Sequence, residues 1–438
     1  MKIKTAIIGT GISGMACAHF LQDDQEITLF EKNNYVGGHT NTIDVNENGS
    51  NIPIDTGFMV FNKVNYPNLL VLFEELGVPI KKTAMSFSVQ HLPSGLEYSG
   101  TGFDGLFAQR KNFFNPGHLK MLMQINRFNK QSVIDMESSE FSNDSLYEYI
   151  KKRNYGADMM FKYLLPMSSA LWSTPTDISM QFPAIALVRF FKNHGFLGLD
   201  TQHEWYTVAG GSKEYRERLV ASFKDKIKIN EGAKKVIRKE NNKVTVISES
   251  GNHYEFDQVI FACHADQVLP ILENPTKQET AMLGNFSYQK NIATLHTDSS
   301  VMPKNKKTWS SWNYRIESKK GKLSPSTVYF MNSLQQVSQN QNYFVSINDP
   351  GNVDPKKTIK EIEYDHPIFT VKAMETQKSL GKLNESGPVF YCGSYFRYGF
   401  HEDAFTSSVE LCKKILGQDH PKVKKYETPL FNKSLTSV

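Results

Sequence analysis

The 438-residue chain carries 50 Lys and Arg against 45 Asp and Glu, a formal charge of +5, with 39% hydrophobic and 22% charged residues. That length allows two or three domains with a ligand cavity between them, and no apolar run reaches the roughly 18 to 20 residues that a bilayer span needs. Four scattered cysteines, Cys17, Cys263, Cys392 and Cys412, exclude a disulfide framework and a zinc site, and no metal is expected. The short basic clusters at 150–153, 304–307 and 319–322 read as solvated turns rather than a nucleic-acid face, with an anionic membrane surface as the other candidate partner.

At the N-terminus, MKIKTAIIGTGISG passes from lysines into a short apolar run without the core or cleavage site of a secretory signal, so a cytoplasmic location is expected. IKTAII predicts a buried strand that runs into Gly9, Gly11 and Gly14 in a GxGxxG pattern. Met15, Ala16, His19 and Phe20 then recur at helical spacing, and the strand EITLFE ends on Glu31. Strand, glycines, helix, strand and terminal carboxylate in that order predict dinucleotide binding. Gly9 permits the turn, Gly11 lets a pyrophosphate approach the backbone, and Gly14 packs helix on strand. Ile12 and Ser13 open the helix whose amides would meet the phosphates. Glu31 would hold a ribose, with Lys32 beside it.

Two further segments follow, KNNYVGGHTNTI with Gly37, Gly38, His39 and Thr40, and IPIDTGFMVF with Asp55, Thr56, Gly57 and Phe58. Together with WYTVAGGSKEY, LHTDSSVMPKNKKTWSSWNY and YGFHEDAF, they give the chain its resemblance to the flavin-containing amine oxidase superfamily, which includes protoporphyrinogen oxidase and the carotenoid desaturases. Within it, the chain is similar to a bacterial branch described as predicted NAD/FAD-binding oxidoreductases. The resemblance implies FAD, with the GG segment at the pyrophosphate and the D-x-G segment at the flavin. It also implies an α/β fold in which a Rossmann-like FAD-binding domain (1–60, 205–285 and 385–420) is interrupted by a mixed α+β substrate domain (61–204 and 286–384). Residues 421–438 are expected to form a polar tail, loose or draped on the surface. One departure is His39, which stands where amine oxidases usually carry Arg.

Residues 60 to 205 read as helical and rich in Met and aromatics. The candidate pocket wall is Phe58, Met59, Phe61, Met85, Phe87, Phe161, Tyr163, Met167, Trp172, Trp205, Tyr329 and Met331, each weighed against an ordinary core role. In GAKKV, the resemblance assigns the adenine contact to Val236. At the far end, Gly393 follows the strand PVFYC, with Ser394 or Asp403 to hold the ribityl chain and Ala404 in the closing helix. Tyr395, Phe396, Tyr398 and Phe400 would form a wall between flavin and substrate. His401, Glu402 and Tyr398 are the candidate catalytic groups. Lys290 reads as a surface lysine with a water-positioning role as its alternative, and His296 with Asp298 as a structural pair. The implied activity is an FAD-dependent oxidoreductase, of oxidase or desaturase type, that moves a hydride from a sizeable hydrophobic substrate such as an unsaturated acyl chain. A double-bond isomerase, an amine oxidase and a non-catalytic flavin-binding partner stay open as alternatives.

Overall fold

A computed structural model of the chain describes residues 1–172, 174, 176–198, 201–319 and 321–426. Strand β1 (Lys4–Ile8), helix α1 (Ile12–Leu21) and strand β2 (Glu26–Phe30) form the opening unit. Helices α2 (Pro67–Glu75) and α3 (Lys213–Val220) come next among the elements that position the site. Strands β3 (Ile227–Lys228), β4 (Gln258–Phe261) and β5 (Val389–Tyr391) complete a five-stranded sheet, and helix α4 (His401–Leu416) closes the chain against it. The sheet order is β3-β2-β1-β4-β5, parallel throughout.

Such a sheet must bury both faces, which is why β1 and β4 are nearly unbroken apolar runs. Successive side chains point to opposite faces. Ile7, Leu29 and Ile260 pack under α1 and α4. Ala6, Ile8, Phe30, Val259 and Phe261 meet a three-stranded antiparallel layer (Ala233–Arg238, Val244–Ser248 and His253–Phe256) through Val236, Val244 and Val246.

The second body is a seven-stranded sheet. Its order is Thr358–Ile368, Ser287–His296, Phe344–Ile347, Lys322–Phe330, Trp312–Lys319, Phe87–His91 and Leu96–Ser99. Only the pairing of Trp312–Lys319 with Phe87–His91 is parallel. Two distant stretches of chain therefore share one sheet. The expectation of helix throughout 60 to 205 is corrected here: strands Phe61–Asn62, Ile80–Thr83, Phe87–His91 and Leu96–Ser99 lie inside it. Each is short; the first three pair with remote segments and the fourth extends Phe87–His91 as a hairpin, and that pairing decides their state over any local pattern. A helical layer built around Phe128, Tyr149, Leu187 and Phe191 supplies a separate core.

After α4, Val423 and Tyr426 are buried, and the Tyr426 ring lies 5.2 Å from Phe20 and 5.5 Å from Phe405. The rest of the expected polar tail, 427–438, lies outside the described residues. Among the described residues, no helix is long and apolar enough to cross a membrane.

Candidate active site

A continuous cavity of ≈ 990 Å³ runs from the glycine turn after β1 to aromatic residues of the second body. At the turn, Gly9 has φ +100° and a Cβ there would stand 2.8 Å from the Ala262 carbonyl oxygen; one on Gly14 would stand 1.9 Å from the Gly9 oxygen. Side chains are excluded from both positions by backbone. Gly11 differs, since an added Cβ meets nothing within 4 Å and would project into the cavity that Gly11 lines. Gly11 is the N-cap of α1 with no side-chain cap, so the first amides, at Ile12 and Ser13, are left for an anion. The Ser13 hydroxyl is turned away, donating to the Ala404 carbonyl at 2.9 Å.

Glu31 ends β2 with its carboxylate fixed from both sides. It accepts from the Thr10 amide at 3.1 Å and from the Asn33 amide and side chain, each at 2.9 Å. Lys32 lines the same end. Gly37 (φ +124°) and Gly38 (φ +59°) turn the chain across Gly11, whose Cα would be 3.4 Å from a Cβ on Gly38. Gly57 lets the D-x-G segment rest on His39, where a Cβ would sit 2.2 Å from the carbonyl oxygen. This is a cradle shaped to exclude protein side chains and admit a flat or extended ligand backbone. Asp55 is a tie rather than a ligand group: buried, it accepts from the Ser212 amide at 2.9 Å and from Gln335 at 2.6 Å, joining α3 to the second body.

Beyond the glycines stands a hydrogen-bonded row. Thr40 bonds the Tyr215 hydroxyl, which bonds His401 Nε2. The His401 ring stacks on Phe58 at 4.0 Å and 11°. Burial pushes the His401 pKa down to about 3, so the imidazole is neutral at physiological pH. A second group gathers on the adjoining wall. His39 stacks on Tyr364 at 4.8 Å and lies 5.4 Å from His366, while His264 stacks on Tyr288 at 4.4 Å. Burial, with the neighbouring imidazoles adding to it, holds His264 and His366 down to about 3; burial alone holds His39 down to about 4. Among the described residues, no group of His, Cys, Asp or Glu is arranged to hold a metal ion.

Several sequence expectations shift. Val236 is buried in the core, and its carbonyl already accepts from the Glu273 amide at 2.8 Å; Gly232, Ala233 and Lys234 line the cavity in its place. Glu402 is turned away from the cavity, its carboxylate accepting from the Asn68 and Leu69 amides at 3.0 and 2.9 Å. It caps α2 from inside the molecule. Burial raises its pKa to about 8. Asp403 is likewise turned back, accepting from the Phe400 amide at 2.9 Å, and burial raises it to about 6. Tyr398 and Phe396 do not reach the cavity, whereas Gly393, Ser394, Tyr395, Phe400, His401 and Ala404 line it. Lys290 is exposed and pairs with Glu363 at 2.8 Å. His296 bonds the Ser346 hydroxyl at 2.8 Å inside the second body, with the Asp298 amide donating to its ring.

Of the expected pocket wall, Phe58, Met59, Met85, Trp172, Trp205 and Tyr329 line the cavity; Phe61, Phe87, Phe161, Tyr163, Met167 and Met331 do not. Phe190, His194 and Phe196, unforeseen, join them. His194 stacks on Phe190 at 3.8 Å and is held neutral by burial. The charged residues that line the cavity come from 31–32, 234–266 and 363–365; the described lining residues from 56–85, 171–205 and 312–347 include no Asp, Glu, Lys or Arg. Tyr215, His264, Tyr364 and His366 were missed by sequence reasoning. For His264 a signal existed, since it follows the apolar run of β4, at the C-terminal end of a parallel strand, where such sheets bind ligands.

Residues 12–361 match the model of the flavin-containing amine oxidoreductase family. A 1-hydroxycarotenoid 3,4-desaturase from a Flavobacterium species is 24% identical over 416 residues, covering 80% of this chain and 77% of its own. Among solved structures, wild-type putrescine oxidase bound to putrescine matches with TM-score 0.68 and 14% identity over 95% of this chain and 99% of that one. A fatty acid isomerase from P. acnes that produces CLA matches with TM-score 0.64 and 14% identity, at the same coverage. The turn of Gly9, Gly11, Gly14 and Gly38, closed by backbone at Gly9 and Gly14 and open to the cavity at Gly11, fits FAD.

Proposed function

Because the chain belongs to the flavin-containing amine oxidoreductase family and is an FAD-dependent oxidoreductase, we propose that it acts as an oxidase or desaturase on a sizeable, uncharged hydrophobic substrate, an unsaturated acyl chain or a similar lipid. The observation that carries this reading is the division of one cavity into a polar glycine end and an aromatic end. In the latter no described lining residue from 56–85, 171–205 or 312–347 is charged. A substrate ammonium would enter that end without a carboxylate, and a free carboxylate without a cation, and a buried unpaired charge is strongly disfavoured. An apolar chain loses nothing there and gains from burial against Trp172, Phe190, Trp205 and Phe400.

The bound flavin supplies hydride acceptance. The residues of this chain supply position and exclusion of water. Gly11, Gly38 and the α1 amides hold the phosphates, and Glu31 meets the ribose. Phe58 and His401 form one rigid face of the wall, locked by the Tyr215 hydroxyl. The N-terminus of α4, from which His401 and Ala404 line the cavity, favours negative charge that grows nearby during the reaction. The carotenoid desaturase and the fatty acid isomerase are both named for long apolar compounds, which supports the same reading.

The test is anaerobic mixing of the yellow holoprotein with two panels, amines and unsaturated acyl lipids. Bleaching of the flavin by a lipid, with the amine panel inert, is the expected result. Bleaching by amines, with peroxide released on admitting air, would overturn the proposal. Lipid conversion without any electron acceptor would replace the desaturase assignment by an isomerase.

A further inference from the structure

Phe103, Phe114 and Met123 are 65%, 90% and 66% exposed. They come from helix Gly102–Leu106, the turn Arg110–Phe114 and the start of helix Pro116–Asp135. The short helix, the turn and the first turn of the long helix are held together. Phe103 lies 5.4 Å from Phe113, Phe113 stacks on Phe107 at 4.3 Å, and the His118 ring bonds the Leu106 carbonyl at 3.1 Å. The basic loop 304–307 is fastened alongside. Its Lys304 and Asn305 amides donate to the buried Glu97 carboxylate at 3.0 and 2.9 Å, and the Asn305 side chain donates to the Ala108 carbonyl at 2.9 Å.

Residues 100–123 and 304–307 together hold six cations, Arg110, Lys111, Lys120, Lys304, Lys306 and Lys307, and one carboxylate, Asp104. Asp104 is paired with Arg110 at 2.6 Å. The patch thus carries a surplus equal to that of the whole chain, +5, and the remainder of the sequence is balanced. A protein interface concentrates aromatics but is depleted in lysine. Exposed aromatic and thioether side chains rising among lysines fit another environment, the headgroup layer of an anionic bilayer, where rings enter the interface and cations meet phosphates. We propose that this patch docks the protein reversibly on an anionic lipid surface. The attachment is peripheral, and it stands independently of which substrate the cavity takes.

The experiment is flotation of the full-length FAD-loaded protein with phosphatidylcholine vesicles, with and without phosphatidylglycerol. At low ionic strength the protein rises with the anionic vesicles and not with the neutral ones, and concentrated salt releases it. Phe103→Ser with Phe114→Ser, and separately Lys111→Glu with Lys306→Glu, each lower the bound fraction about tenfold or more, with the flavin spectrum unchanged. The proposal is overturned by failure to rise with anionic vesicles, by equal binding of these variants, or by a loss of binding that accompanies a change in sedimenting mass, which would make the patch a contact between copies of the chain.

Discussion

At the scale of single residues, Glu402 shows how a polar group beside a site can serve the fold instead. Its carboxylate satisfies two amides at the start of α2, Asn68 and Leu69, in a buried position. Glu402→Ala leaves both amides unsatisfied and should cost about 2 kcal/mol or more in stability. Urea unfolding of the holoprotein measures that loss, while flavin reduction by substrate should keep its rate; a stable variant with no reduction would return Glu402 to the chemistry. Nothing in HEDAF separated the two roles, because the partner amides lie more than three hundred residues away in sequence. His401 was legible as a site residue from its place before the last helix. Its protonation was not, since the burial that keeps it neutral is a property of the assembled cavity.

At the scale of elements, the glycines of the first turn divide by what surrounds them. Gly14→Ala drives a methyl against the Gly9 carbonyl and should prevent the α1–β1 packing, giving little folded protein. Gly11→Ala meets no protein atom, so its melting temperature without flavin should match that of the parent while flavin affinity falls at least tenfold. Paired thermal melts of the apoproteins and fluorescence titrations with FAD check both outcomes, and a Gly11→Ala protein that binds FAD normally would refute the placement of the phosphates. The opening strand, helix and strand were readable because local pattern and final structure agree there. That Gly232, Ala233 and Lys234 line the cavity was not readable, because the register shift between Ala233 and Lys235 sets which residues face it, and a bulge has no composition of its own. Strand Phe87–His91 was hidden for a related reason: it is stabilised by a partner that arrives from elsewhere, Trp312–Lys319, and Leu96–Ser99 then pairs on its free edge.

At the scale of the whole molecule, burial of ionisable groups sets the response to pH. His39, His194, His264, His296, His366 and His401 are all held to about 3 or 4, below the value of about 6.5 in an unfolded chain. The unfolded state therefore binds protons first, and the stability these groups contribute is present above about pH 6.5 and lost as pH falls toward 4. Glu402 and Asp403, raised to about 8 and about 6, act in the opposite sense, losing stability as pH rises through those values. Asp55 and Asp266, also raised by burial, join that side, but the neutral histidines outnumber the raised carboxyls, so thermal melts of the holoprotein should show a steep fall in Tm from pH 6.5 to 4 and a shallow one toward pH 8; a flat profile below 6.5 would contradict the neutral histidines. The C-terminal seal is testable in the same assay. Tyr426 packs on Phe20 and Phe405 and bonds Glu75 at 2.8 Å, so Tyr426→Ala should cost about 3 kcal/mol. That seal has a consequence in time. The sheet that begins with Lys4 is not complete until Val389–Tyr391 has been added and α4 has folded over α1. During synthesis at about 5 to 20 residues per second, the nascent N-terminal unit waits about twenty to seventy seconds for its last strand, exposing apolar surface throughout. The flavin pocket, which His401 and Ala404 of α4 help to line, can close only after α4 has been synthesised, so cofactor capture follows the addition of the last strand rather than the folding of the first.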